Sequence, residues 1–484
     1  MAANTPYDVL RLPLVGRLLR GRWGRLALQL PLLLAAAALV VDGLTGPQAA
    51  PRNLATVVPW VHLRGFVVLA LLLAGNLFCM ACPFTLPRTL ARRLSLRRRR
   101  FPRRLRGKRL ALLLLVGLFL AYEIFSLWAS PLLTAWLIIA YFAAAFILEA
   151  WFGESAFCKY ICPLGTFNFV YSTLSPTQIA VKDRAVCAAC AGKECVRGSY
   201  RLAPSLRVDT LPSGPREVRH GPDGTPGCGL LLFPPQMTTN LDCTFCLDCV
   251  RACPHDNIAL AARPPGRELL RPDAWPRRWD VSLLAIALAC LAVVSAFGMV
   301  PPRYALQEAL AGVGLTSEPL QLLLIFGIGG LLLPAGAALA AARLSQLLAG
   351  AARRLSLRHT VAAFAPAFVP LGFGIWTAHY SFHFLIAPLT LIPVVQEFLG
   401  LPGEWARFSV MADPTAIGLV QAAALLGGFL WSLWLAQRAA FRLYRRDALP
   451  GLLPWALLLL ALMLAAGYLF TLPMEMRGTD FLPG

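Results

Sequence analysis

The sequence predicts an all-α polytopic membrane protein of about nine transmembrane helices, with a small α+β domain inserted between two membrane units. Three observations predict it. The 484 residues are 58% hydrophobic and 14% charged, whereas soluble domains carry roughly 25% charged residues. The 45 Lys and Arg outnumber the 24 Asp and Glu, giving a net charge of +21, and the excess falls in short blocks between apolar runs. The 13 cysteines cluster at ligand spacing. Together these exclude a soluble globular protein. They also exclude a disordered basic tail, which needs low hydrophobicity. A nucleic-acid binder would spread its Arg over a water-facing domain, so no nucleic-acid partner is expected.

A transmembrane helix needs about 20 mostly apolar residues. Nine stretches qualify: 25–43, 61–80, 110–129, 132–152, 281–300, 319–342, 359–386, 414–436 and 450–472. The first follows a basic start and is expected to stay as a signal-anchor helix, since no A-x-A cleavage site follows it. The seventh is long, contains Pro366 and Pro370 and is expected to kink or tilt. The stretch 387–401 is too short to span and reads as re-entrant or interfacial. Basic residues mark the cytoplasmic side of a membrane protein. With the N-terminus placed there, only Arg52, Arg64, Arg303, Arg407 and Arg477 fall outside, and the other forty Lys and Arg fall inside. The basic run Arg97–Arg100 then reads as a loop held on anionic lipid. The division expected is a four-helix membrane unit over 1–152, a cytoplasmic domain over 153–280 and a five-helix membrane unit over 281–484.

Cysteine spacing carries the chemistry. Cys243-x-x-Cys246-x-x-Cys249-x-x-x-Cys253-Pro254 is the ferredoxin run for [4Fe–4S] clusters, in which three thiolates converge on one cluster and the fourth serves the other. A zinc site would pair its ligands differently. After Pro254, Ile258–Leu260 is expected to start a strand. Upstream lie Cys187-x-x-Cys190, Cys195 and Cys228. The eight cysteines suffice for two [4Fe–4S] clusters in a ferredoxin-like domain. The crossed assignment gives Cys187, Cys190, Cys195 and Cys253 to one cluster, and Cys228, Cys243, Cys246 and Cys249 to the other. Four more cysteines fall at helix ends, in Cys79-x-x-Cys82-Pro83 and Cys158-x-x-x-Cys162-Pro163. At one membrane surface they could meet as ligands of a metal or an Fe–S cluster, act as redox dithiols, or serve as small packing residues. Cys290, alone in the fifth span, reads as packing.

These motifs resemble the polyferredoxin-like membrane [4Fe–4S] proteins over about residues 60–262. That group includes the quinol-oxidising membrane subunit of periplasmic nitrate reduction and the nitrous oxide reductase accessory flavoprotein. It also includes the membrane ferredoxins of copper oxidase assembly and of cyclic electron transport. The resemblance rests on Cys79-Met-Ala-Cys82-Pro, on Cys158-Lys-Tyr-Ile-Cys162-Pro-Leu-Gly and on the ferredoxin run after them. Most of the family has three residues inside the first Cys-Pro motif, where this chain has two. The family implies electron transfer between a soluble carrier or quinone and a membrane acceptor in a bacterial inner membrane. The four helix-end cysteines would be its membrane-surface redox element. The region from about 281 onward lies beyond the resemblance.

Within the spans, His379 and His383 share a helix face at i, i+4 spacing, and His62 is expected at similar depth. They read as ligands of a haem or copper centre, as a quinol site, or as helix–helix hydrogen-bonding groups. Glu123 and Glu149 lie in the third and fourth spans. An intramembrane carboxylate is by default a functional residue, and Glu123 reads as a proton relay to a quinone. The function expected is electron transfer between cytoplasmic carriers and the quinone pool or a membrane partner. The alternative is an accessory redox factor in the assembly of another metalloenzyme.

Overall fold

The computed structural model describes residues 7–21, 23–87, 91, 99–198, 224–271 and 274–475. Arg97, Arg98 and Arg477 lie outside them.

The first helices are α1 (Pro13–Arg20) and α2 (Gly24–Thr45). Tyr7 and Asp8, ahead of α1, dock on the cysteine-rich domain. Ala262 N donates to the Tyr7 carbonyl at 2.8 Å, and buried Asp8 pairs with Arg20 at 3.2 Å and Lys182 at 3.5 Å. The sequence had grouped this segment with the membrane unit. Nothing local to it announces its partners, which lie far along the chain.

Helix α3 (Leu54–Ala74) starts at Asn53, whose side chain accepts from Ala55 N, the usual way of satisfying orphan N–H groups at a helix start. It stops at Gly75, where φ is 78° and a Cβ would lie 2.1 Å from Ser175 Oγ. Only glycine fits that left-handed, crowded position. The chain then forms α4 (Leu77–Ala81), α5 (Lys108–Ile124), α6 (Pro131–Trp151) and α7 (Pro163–Tyr171). Helix α6 opens with proline at its first position and Ser130 capping Leu133 N, a strong start signal.

The inserted domain is built on two strands, β1 (Thr177–Val181) and β2 (Ile258–Ala262). They pair antiparallel from Thr177↔Ala262 to Val181↔Ile258, so the strand expected after Pro254 is present. Among the described residues between the strands are three short α-helices, α8 (Arg184–Ala189), α9 (Glu194–Arg197) and α10 (Asp248–Ala252). Arg263 and Glu268 pair at 2.6 Å, their side chains 2% and 3% exposed. They tie the exit of β2 to the turn after α7.

The C-terminal half contains α11 (Trp279–Phe297), α12 (Pro302–Gly312), α13 (Glu318–Leu348) and α14 (Leu357–Ile386). It ends with α15 (Leu391–Leu399), α16 (Pro414–Tyr444) and α17 (Ala448–Thr471). Helix α14 carries a 3₁₀ turn at Ala365–Ala367, where Pro366 removes a backbone donor. Segment 387–401 forms the short helix α15, packed against the start of α3.

Among the described residues, seven helical runs are long and apolar enough to cross a membrane: α2, α3, α6, α11, α13, α14 and Pro414–Thr471. The protein is thus a helical polytopic membrane protein in contact with lipid. The last run comprises α16 and α17, which meet at Arg445 (φ 53°) and pack along each other. Helix α5 is apolar but has 17 residues. The sequence extends the third span to 129, whereas α5 ends at Ile124 and residues 125–129 form turns. Helices α11 and α14 form the buried centre, and one apolar core continues from Val67 and Leu115 to Trp376 and Trp455. The two membrane units therefore share a core. Where α14 meets α16, a Cβ on Gly374 would stand 2.4 Å from the Ala424 carbonyl oxygen. Small residues allow such backbone contact between membrane helices.

Candidate functional site

The domain's cysteines gather in two groups. Cys187, Cys190, Cys195 and Cys253 line one small cavity with Phe233 and Ile258. Cys187 and Cys195 sit in α8 and α9, while Cys190 and Cys253 end α8 and α10. Asn257 serves two sulfurs: its Nδ2 donates to Cys187 Sγ at 3.2 Å and its backbone N to Cys253 Sγ at 3.4 Å. Hydrogen bonds to ligand sulfurs are a principal means of tuning a cluster. Burial pushes the Cys195 thiol up to about 11, helped by its neighbours Cys253, Cys187 and Cys190.

Cys243, Cys246 and Cys249 form the second group with Cys228, and all four are buried. Burial raises Cys249 well above the ordinary thiol range, and Cys246, Cys243 and Cys228 raise it further. Cys246 is pushed up to about 11 by burial and by Asp248, with Arg25 opposing. The two groups touch through the backbone, since Cys228 N donates to the Cys195 carbonyl at 2.9 Å.

The backbone around these groups is unusual. Eight described non-glycine residues have positive φ, and six of them lie within three positions of a cysteine in these groups: Lys193, Leu231, Asp242, Phe245, Leu247 and Asp256. Left-handed backbone at such residues is costly and concentrates at functional sites. Alternation of right- and left-handed residues turns successive N–H groups into an anion-holding nest, a device found at Fe–S sites. A cluster held by four thiolates carries negative charge, so this backbone and the donors on its sulfurs suit such a group. Residue types alone give no sign of these positive-φ positions or of the role of Asn257.

Three helix-end cysteines come together. Cys162 lies close enough to Cys79 and Cys82 to act on both electrostatically. Asn168 Nδ2 donates to Cys79 Sγ at 3.3 Å, and Gly165 N to Cys162 Sγ at 3.3 Å. Cys158 lies in the preceding π turn, Phe157–Ile161. A Cβ on Gly165 would approach the Cys158 carbonyl oxygen to 3.2 Å, which accounts for glycine in Cys-Pro-Leu-Gly. This group adjoins the second one. Asn76 Nδ2 donates to the Cys243 carbonyl at 2.8 Å, and Cys79 acts electrostatically on Cys243.

Among the described residues, no three His, Cys, Asp or Glu side chains close around a single metal ion.

Beside Cys82 opens an apolar cavity of about 290 Å³ between α2, α3, α5 and α6. Cys82, Pro83, Pro163 and Tyr141 line its end near the cysteines. Further up α3 lies Arg64, whose guanidinium rests on the rings of Trp60 at 4.9 Å, Tyr122 at 4.6 Å and Tyr380 at 5.5 Å. Tyr141 packs against Phe84 at 5.5 Å and Phe157 at 6.0 Å.

The remaining intramembrane candidates are placed as follows. Glu123 Oε2 accepts from Arg303 Nη1 at 3.1 Å, with both residues buried. Its partner lies 180 positions away, beyond the reach of any local motif. Glu149 is buried near the end of α6. His379 and His383 have ring centres 5.2 Å apart, and His379 Nε2 lies 3.3 Å from Met299 Sδ. His62 meets Thr390 Oγ1 at 3.3 Å and the edge of Phe384. Cys290 is buried within α11.

No protein-family model, no curated protein and no solved structure matches this chain. The functional reading therefore rests on its own residues.

Proposed function

We propose that this chain is a membrane-bound iron–sulfur electron-transfer protein of a bacterial inner membrane. In this reading α2, α3, α5, α6, α11, α13, α14, α16 and α17 make nine crossings. The N-terminus and the ferredoxin-like domain face the cytoplasm, as the distribution of basic residues requires. Cys187, Cys190, Cys195 and Cys253 hold one [4Fe–4S] cluster, and Cys228, Cys243, Cys246 and Cys249 hold the other. Bound clusters store and pass single electrons at potentials that their surroundings set. The chain's own residues order the route. The Cys195–Cys228 backbone contact joins the two groups, Asn76 joins the second to α4, and Cys79, Cys82 and Cys162 stand at the membrane surface.

The observation that carries this reading is the succession of three adjoining cysteine groups that ends at Cys82, on the wall of an apolar cavity. Such a cavity suits the ring and isoprenoid tail of a quinone, since ligand sites are mostly apolar with a few placed polar groups. Tyr141 is the polar lining residue beside the cysteines, and in this reading its hydroxyl donates to a quinone oxygen.

The test is reduction of a soluble quinone analogue by purified protein and a reduced ferredoxin. Cys82→Ser is expected to abolish quinone reduction while the iron content of the ferredoxin-like domain stays intact. Tyr141→Phe is expected to raise KM for the quinone with the same iron content. Full-rate reduction by both variants would overturn the quinone site. One observation favours the accessory reading. The buried pair of His379 and Met299 offers imidazole and thioether, which suit copper(I). Stoichiometric copper in the purified protein, without quinone reduction by the fully clustered chain, would decide for it.

A further inference from the structure

A second cavity, of about 190 Å³, opens where the chain leaves the ferredoxin-like domain and meets α14 and α16. Small side chains make the room, Ala362, Ala363 and Ala367 on α14 and Ala439 on α16. Basic groups line it: Arg271, Arg277, His359, Arg438 and Arg442. None of the described lining residues is acidic. Two of the arginines are held in place. Arg442 Nη2 donates to the Leu270 carbonyl at 2.6 Å, and the Arg438 guanidinium lies 5.2 Å from the Trp434 ring centre.

The surface leading to the cavity identifies its occupant. Leu426, Leu430, Trp434 and Arg438 follow one another at four-residue intervals, so they share one face of α16. Leu426, Leu430 and Trp434 are all exposed large apolar residues. This face therefore runs from outward leucines through a tryptophan to an arginine at the cavity. Acyl chains, an interfacial ring and an anionic head group follow one another in that order at a bilayer surface. Basic pockets between membrane helices bind anionic head groups.

We propose that this cavity binds the phosphate of an anionic phospholipid. Arg438 and Arg442 contact the head group, and the acyl chains lie along Leu426 and Leu430. A soluble phosphate would use the arginines but would leave the apolar face without a role. Because Leu269–Arg271 and Arg277 belong to the exit of the ferredoxin-like domain, the bound lipid braces that domain against α14 and α16.

Native mass spectrometry of the full chain in detergent tests this, with dioleoylphosphatidylglycerol, dioleoylphosphatidylcholine and inorganic phosphate as separate probes. One phosphatidylglycerol per chain is expected to be retained in preference to phosphatidylcholine. Each basic residue near an anionic surface contributes about 1 kcal/mol, so R438Q/R442Q is expected to weaken that binding about thirtyfold. Ala363→Leu keeps every charge but fills the cavity, and is expected to weaken it as well. Unchanged retention in both variants would overturn the site. Tight binding of inorganic phosphate, with no preference between the two lipids, would overturn the lipid assignment.

Discussion

Cys253→Ser is expected to remove one of two reduced-cluster EPR signals and to leave the other at full intensity. The signal lost is the one that Cys187→Ser also removes. Counted along the chain, Cys253 belongs with Cys243, Cys246 and Cys249, and a run-by-run assignment would tie its loss to theirs. The fold separates them. Cys253 ends α10 and turns into the cavity that Cys187, Cys190 and Cys195 line. Asn257 then binds Cys253 Sγ through its backbone and Cys187 Sγ through its side chain. Iron is expected to fall from about eight to about four per chain, because each cluster holds four. A Cys253→Ser protein that loses the same signal as Cys243→Ser would refute the crossing. Retention of both signals would refute ligation by Cys253.

Glu268→Ala is expected to destabilise the cysteine-rich domain by about 3–5 kcal/mol, the usual cost of removing one partner from a buried ion pair. Arg263 would be left charged and buried. Its guanidinium also donates to the carbonyls of Ser172, Thr173 and Ser175, so it cannot swing out without stripping those acceptors. Glu268 further accepts from Asn240 N at 2.9 Å, and Asn240 Nδ2 donates to the carbonyls of Ser172 and Thr177. The substitution therefore loosens the joint among α7, β1 and the loop that precedes the ferredoxin run. Glu268→Gln keeps an acceptor for Asn240 N and is expected to lose less. Thermal loss of the visible cluster absorbance measures both. A change within about 0.5 kcal/mol for Glu268→Ala, as at an ordinary surface position, would show that the joint does not hold the domain.

The sequence revealed those features whose signal is local. Apolar runs located the long helices because bilayer thickness sets their length, and Pro366 marked the 3₁₀ turn within α14. Pro254 preceded the strand expected after it, which is β2. Features that depend on distant partners were hidden. Arg263 and Glu268 look like ordinary loop charges until the fold buries them together, and Glu123 gave no sign of Arg303. Tyr7 and Asp8 lie in what reads as the basic start of the chain, yet they dock on β2. The positive-φ residues Phe245 and Leu247 carry no glycine to announce them. The cavity beside Cys82 is lined from several helices that no single stretch of sequence relates.

The central claim is that eight cysteines hold two clusters. Iron and acid-labile sulfide assay of the anaerobically purified chain, with EPR of the reduced form, tests it most directly. The expected result is at least about eight irons and eight sulfides per chain, with two magnetically interacting centres. A chain carrying zinc in place of iron, or fully folded with no labile sulfide, would contradict it.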